Sequence, residues 1–244
     1  MKTRKQLPAF GYLSHINIDI DALIKHLQSQ GLLNYDTYNC CKFSTADHNY
    51  KGLIAASHIT YNQYFKEDPA EELESTKFRQ VQLTEFQGQH SADPVPLEST
   101  SFVQRVRRLD PEHPKYLAEA DELNYGRRGP LVVGEIAKIF DMFHSRITRA
   151  RFNYLAAGHE IKPHIDYDPS FITRYHIPVI TNPEVTMFIE RQGRVHELYL
   201  PANGRVYFFN AGFKHWVKND SDQDRLHLIV DVHGQQELEH LVEL

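Results

Sequence analysis

From Ile147 onward the chain is punctuated so closely that only short extended segments fit. ITRARFNYL, TRYHIPVI, EVTMFIE, VHELYL, RVYFFN, HWVKN and RLHLIVDVH follow in quick succession, rich in β-branched and aromatic residues and separated by Gly, Pro, Asn and Asp. Such runs read as strands, and several at close spacing imply a sandwich or barrel of antiparallel strands. A jelly roll closes them without long raw edges. ERQGRV reads as a tight hairpin connection, and LPANGRV carries Asn-Gly, a strong hairpin signal. The expectation is a mainly β fold with flanking helices.

The preceding part of the chain is less periodic. Asp19 followed by Ile20, Leu23, Ile24 and Leu27 has helical spacing, with Gly31 placed to end a helix over about 20–30. GLIAASHIT (52–60) is a candidate strand, AEELES after Pro69 a helical turn, and 87–99 a loop containing two prolines. In TKFRQVQLTEF, Val81 and Leu83 alternate with polar residues as in a half-buried strand. Pro130 suits the first position of an amphipathic helix through Val132, Ile136, Ile139, Phe140 and Phe143, ending near His144 and packed outside a sheet. We expect residues 1–146 to be an elaboration packed on a core of 147–244, in one integrated domain. A chain of 244 residues can bury such a core without staples.

Charge excludes some roles. With 27 basic and 32 acidic residues the net charge is −5, and no basic block is long enough to track phosphates, so nucleic acid is not expected as a partner. No apolar run approaches bilayer length, the N-terminus lacks the apolar core of a secretory signal, and a cytoplasmic protein with no membrane partner is expected. Cys40 and Cys41 are adjacent, poor geometry for a disulfide, and read as reduced thiols. Arg105, Arg107, Arg108, Arg127 and Arg128 read as a solvated face, or as recognition of an acidic group if they border a site.

Chemistry concentrates between His164 and Arg225. The 15 histidines are scattered, so only position within a motif promotes one. His164 and Asp166 stand two apart in an extended segment after Pro163, so both side chains can reach one ion. His215 is a third candidate ligand, and two imidazoles with one carboxylate form the facial set that suits non-haem Fe(II). Strand parity adds an inward face: Arg151, Asn153 and Leu155; Arg174, His176 and Pro178; Arg225, His227 and Ile229. Three inward arginines are costly unless a bound dianion balances them.

PHIDYDPSFITRYHIPVITNPEV, the Gly204 to Phe209 strand, HWVKN and DRLHLIVDVH resemble the aspartyl/asparaginyl β-hydroxylase family of Fe(II)/2-oxoglutarate-dependent dioxygenases. The resemblance implies a double-stranded β-helix of cupin-like form. It implies Fe(II) held by His164, Asp166 and His215, and Arg225 gripping the distal carboxylate of 2-oxoglutarate. By the same resemblance Arg174, His176 and Asn153 contact the cosubstrate. The implied reaction hydroxylates an unactivated C–H bond with O2, turning 2-oxoglutarate into succinate and CO2. Asp166 departs from the animal enzymes of the family that act on epidermal-growth-factor-like domains, which lack the carboxylate, and it counts against a related halogenase. A free amino acid, a residue in a peptide and an amino acid tethered to a carrier protein are all open as substrate, with the first two favoured.

Two other readings have clear discriminators. A non-catalytic cupin-like protein binding a metal or small molecule would keep the barrel but would not need Arg225 at its offset. A zinc hydrolase could use the same three ligands, yet the chain has no HExxH motif.

Overall fold

In the computed structural model, residues 1–35, 39–40, 78–85 and 122–244 are described. Eight consecutive strands build the core: β6 (Arg146–Leu155), β7 (Glu160–His164), β8 (Thr173–Ile180), β9 (Val185–Arg191), β10 (Arg194–Leu198), β11 (Arg205–Phe209), β12 (Lys214–Asn219) and β13 (Arg225–His233). They divide between two antiparallel sheets, switching sheet at every connection except the β9–β10 hairpin. β11, β8, β13 and β6 are neighbours in a large sheet, whereas β10, β9, β12 and β7 form a small one. That interleaving is a jelly roll.

The N-terminal part joins the same sheet. β1 (Phe10–Asn17) lies between β11 and β14 (Leu241–Glu243), while β3 (Phe78–Gln82) and β2 (Asn39–Cys40) extend the sheet beyond β6. A separate ribbon pairs β4 (Thr84–Glu85) with β5 (Arg127–Arg128). Among the described residues two helices, α1 (Ile20–Ser29) and α2 (Gly134–Asp141), cover the outer face of the large sheet. Asp19 caps α1 by accepting from the Ala22 N–H at 2.9 Å, and Gly31 at φ +69° ends it.

Side-chain parity sorts two cores. Leu23, Leu27, Ile136, Ile139 and Phe140 from the helices pack on Phe152, Tyr175, Ile177, Phe208, Leu228 and Val230. The opposite parity faces the small sheet, where Leu155, Tyr207 and Phe209 meet Val185, Met187, Ile189 and Val217. Every large-sheet strand of the jelly roll is therefore apolar on one face and mixed on the other. The mixed face carries the candidate site.

Two local expectations differ from what the chain does, whereas His164 ends a strand, in keeping with the extended segment expected around it. β7 is the edge of the small sheet, where Pro163 removes no ladder bond that a central strand would need. Asn203-Gly204 is not a hairpin turn, since β10 and β11 lie in different sheets. It makes the corner between them: Gly204 sits at φ +83°, and a Cβ there would lie 2.4 Å from the Ile18 carbonyl oxygen. The true tight hairpin is Gln192-Gly193, with φ 52° and 73° between paired Arg191 and Arg194. Finally, α2 starts at Gly134, not at Pro130, because Gly134 at φ +54° interrupts helical propagation. His26 of α1 packs where its Cβ would be, 2.7 Å away.

The candidate strand 52–60, the helical turn after Pro69, the loop 87–99, Cys41 and Arg105 to Arg108 lie outside the described residues. Arg127 and Arg128 form exposed ion pairs with Glu85 at 2.8 Å and Asp141 at 2.6 Å, a solvated face. Among the described residues no helix is long and apolar enough to cross a membrane.

Candidate metal centre and anion pocket

β7 and β12 are antiparallel neighbours, and their register sets His164 opposite His215 with ring centroids 4.2 Å apart. Asp166 is brought back to the pair by its N–H, which donates to the Ala211 carbonyl at 3.0 Å. Its Oδ2 lies 3.8 Å from His164 Nε2 and 3.6 Å from His215 Nε2. The three potential ligand atoms fall within 4.8 Å of one another, a span that a cation with bonds of about 2.0–2.2 Å can bridge after small side-chain shifts.

The backbone sets both tautomers. His164 Nδ1–H donates to the Lys162 carbonyl at 2.7 Å, and His215 Nδ1–H donates to the Phe213 carbonyl at 2.9 Å. A carbonyl cannot donate, so each Nε2 keeps its lone pair for a metal. Burial and nearby His164 push His215 down to about 3, so it is neutral at pH 7. Burial opposes ionisation of Asp166, but Arg174, His164 and His215 outweigh it and hold the carboxyl below its usual range. His215 and Asp166 are thus in the protonation states that metal binding requires, and the Lys162 carbonyl leaves His164 Nε2 available to join them. His215 is buried while the His164 side chain is 39% exposed, which opens the centre to solvent on the β7 side.

Behind the centre, the inward face of the large sheet holds the three arginines that parity assigns to it. Two of them share a carboxylate absent from the sequence-derived set. Asp231, fully buried, accepts from Arg151 Nη1 at 2.7 Å and from Arg174 Nε and Nη2 at 2.7 and 3.0 Å. Burial raises the Asp231 pKa, but the two guanidiniums more than reverse this and hold it ionised. Arg174 also pairs through Nη1 with Asp166, linking that candidate ligand to Asp231. The signal that finds Asp231 is the alternation Arg225, His227, Ile229 carried one step further.

Arg225 differs from the other two. It is 1% exposed, no ion pair is made to it among the described residues, and its Nε and Nη1 lack acceptors there. Its contacts of hydrogen-bond type run from Nη2 to His227 Nδ1 at 2.7 Å and to Met187 Sδ at 3.8 Å. Burial lowers its pKa to about 9, which still leaves it charged at pH 7. The same face buries further atoms without partners among the described residues: His176 Nε2, His227 Nε2 and Asn153 Oδ1. A buried cation beside unmet polar atoms is the signature of a site shaped for an anion. An anionic group bearing carboxylates would supply the missing charge and acceptors.

Burial, reinforced by Arg225, also drives the His176 and His227 pKa values well below normal. In the metal-free protein these two and His215 stay neutral in the fold but bind protons below about 6.5 when unfolded. The unfolded chain therefore takes up more protons. Stability is full above about pH 6.5 and falls as pH drops, by up to about 1.4 kcal/mol per pH unit for each histidine. Urea unfolding of metal-free protein at pH 7, 6 and 5 should show a steadily falling midpoint. A flat profile would contradict the neutral histidines.

A jelly roll whose inward face presents two imidazoles, one carboxylate and a charge-deficient arginine defines a candidate non-haem metalloprotein with an anion pocket. The model of the aspartyl/asparaginyl β-hydroxylase family matches residues 123–234, the region that carries this site. No curated protein matches the chain. Among solved structures, an oxidoreductase of the 2OG-Fe(II) oxygenase family from Burkholderia pseudomallei aligns at 13% identity and a TM-score of 0.36, over 65% of this chain and 69% of its own. A cupin domain from Bordetella pertussis Tohama I aligns at 17% identity and 0.28, over 35% and 81%. The fold assignment rests on the strand order described above.

Proposed function

We propose that this protein is an Fe(II)/2-oxoglutarate-dependent dioxygenase that hydroxylates an unactivated C–H bond of an amino acid or peptidyl side chain, with succinate and CO2 as the products of the cosubstrate. The observation that carries this reading is the pairing of the His164, Asp166 and His215 cluster with buried Arg225, whose charge has no counter-ion among the described residues. Two imidazole nitrogens and one carboxylate oxygen suit Fe(II) with further coordination positions open. Bound iron would supply oxygen activation, the one step that amino-acid side chains cannot perform.

The chain's own residues would do the rest. Arg225 would take the distal carboxylate of 2-oxoglutarate, for which its fork geometry is better than a lysine. His176 and Asn153, inward on β8 and β6, would line the cosubstrate between Arg225 and the metal. Arg174 is engaged by Asp231 and Asp166, and we assign it to holding the ligand carboxylate in place as well as to the cosubstrate contact that the resemblance implies. Substrate selection would fall to residues 1–146 and the segment after Asp166.

Anaerobic addition of Fe(II) and 2-oxoglutarate should give the visible charge-transfer band, and oxygen should then yield succinate, faster when the right amino acid or peptide is present. His164→Ala should abolish the band. Metal binding without any succinate would favour a non-catalytic cupin-like binder, and activity that needs zinc but not oxygen would sink the proposal.

A further inference from the structure

We infer that His227 is the positioning residue for Arg225: it accepts one guanidinium N–H through Nδ1, aims the remaining N–H groups at the anion, and itself adds an Nε2–H donor to the pocket. This inference rests on the function proposed above. It concerns which residues give the pocket its grip on a distal carboxylate.

Arg225 and His227 stand two apart on β13, so their side chains share the inward face. Arg225 Nη2 lies 2.7 Å from His227 Nδ1. Arginine has donors only, so Nδ1 must be the acceptor, and the single proton of a neutral imidazole is then on Nε2. That Nε2 is buried and has no partner among the described residues. Neutrality is independently enforced, because burial and the adjacent Arg225 charge both oppose protonation. A protonated ring would turn the Nη2 contact into a repulsion between two donors.

The geometry divides the labour of one guanidinium. Nη2 is held by His227 while Nε and Nη1 are left unpartnered among the described residues. Those two, with His227 Nε2–H, are three buried donors lacking acceptors on one face. A carboxylate has acceptors only and lone pairs enough for all three. Asn153, opposite His227 across the β6–β13 ladder, is uncharged and so does not occupy the donors as a second anion would. Since no described carboxylate fixes Arg225 from behind, the imidazole is what orients it. A long side chain held only at its base would lose more freedom on binding.

The test compares two oxo acids on the iron-loaded protein under anaerobic conditions by titration calorimetry: 2-oxoglutarate, and 2-oxopentanoate, which has the same chain length but no distal carboxylate. Iron affinity is measured in parallel. His227→Leu should weaken 2-oxoglutarate by about 10- to 100-fold, the loss expected for hydrogen bonds to a charged group, and leave 2-oxopentanoate and iron unchanged. His227→Asn places an oxygen near the Nδ1 position and should recover part of the loss, whereas His227→Gln reaches only the Nε2 position and should bind more weakly than His227→Asn. If His227→Leu does not fold, the ranking of the two amide variants decides. Wild-type-like 2-oxoglutarate binding in His227→Leu, equal losses for both oxo acids, or equal affinities in the amide variants would overturn the inference alone. Failure of the wild-type protein to bind 2-oxoglutarate would remove the functional proposal, and this inference with it.

Discussion

Asp231→Asn should destabilise the protein by about 3–5 kcal/mol, the loss typical of breaking a buried ion pair from one side. The side chain is nearly isosteric, so packing is preserved and the effect isolates charge. Asp231 is the shared counter-ion of Arg151 and Arg174, both on the inward face of the large sheet. Without it both guanidiniums lose that buried counter-ion, and Arg174 keeps its pair with Asp166, itself a metal ligand candidate. Urea unfolding at pH 7 should show the drop in midpoint at unchanged slope. Adding Arg151→Met should restore part of the stability, because it removes one of the two charges that Asp231 balances. A second consequence reaches the metal. Arg174 would then lean on Asp166 and compete with the cation for it, so divalent-metal affinity should fall by about 10-fold or more, as for other outer partners of metal ligands. An unchanged midpoint would mean that the Asp231 pairs contribute nothing net.

Much of this site is legible in the sequence, because strand alternation is a strict geometric rule. Arg151, Arg174 and Arg225 face inward in the positions that period-two counting assigns. The predicted face ends at Ile229, one step before the carboxylate that changes the meaning of two arginines. What the sequence hides is of a different physical kind. β7 has no alternation to read, since it is an edge strand with mostly exposed side chains, and Pro163 disguises it further. Asn203-Gly204 signals a turn by local chemistry, but which sheet each flanking strand joins depends on distant partners. Likewise the insertion of β1 between β11 and β14 brings together opposite ends of the chain, and no local pattern encodes it. Local rules bring the candidate ligands to notice; only the assembled sheets show which charges are already balanced.

Arg225→Leu should have effects of opposite sign on stability and on binding. In the metal-free protein the wild-type guanidinium is buried, and among the described residues two of its nitrogens have no acceptor and no carboxylate pairs with it. Replacing it with an apolar side chain removes that desolvation penalty, so the unfolding free energy should rise by about 1–3 kcal/mol despite the smaller volume. The opposing cavity term argues for leucine over alanine. Iron should still bind, since His164, Asp166 and His215 lie on other strands or their connections. Affinity for 2-oxoglutarate should nevertheless fall by about 100-fold or more, equivalent to roughly 3 kcal/mol of lost charge-assisted bonding. Arg225→Lys should keep the charge yet lose the fork, giving an intermediate affinity. Thermal unfolding without ligands and calorimetric titration with iron and 2-oxoglutarate measure the two effects separately. A residue kept for folding would lose stability when replaced. Only a residue kept for an anion should give up binding while the empty protein becomes more stable, and a loss of both together would show that Arg225 is structural.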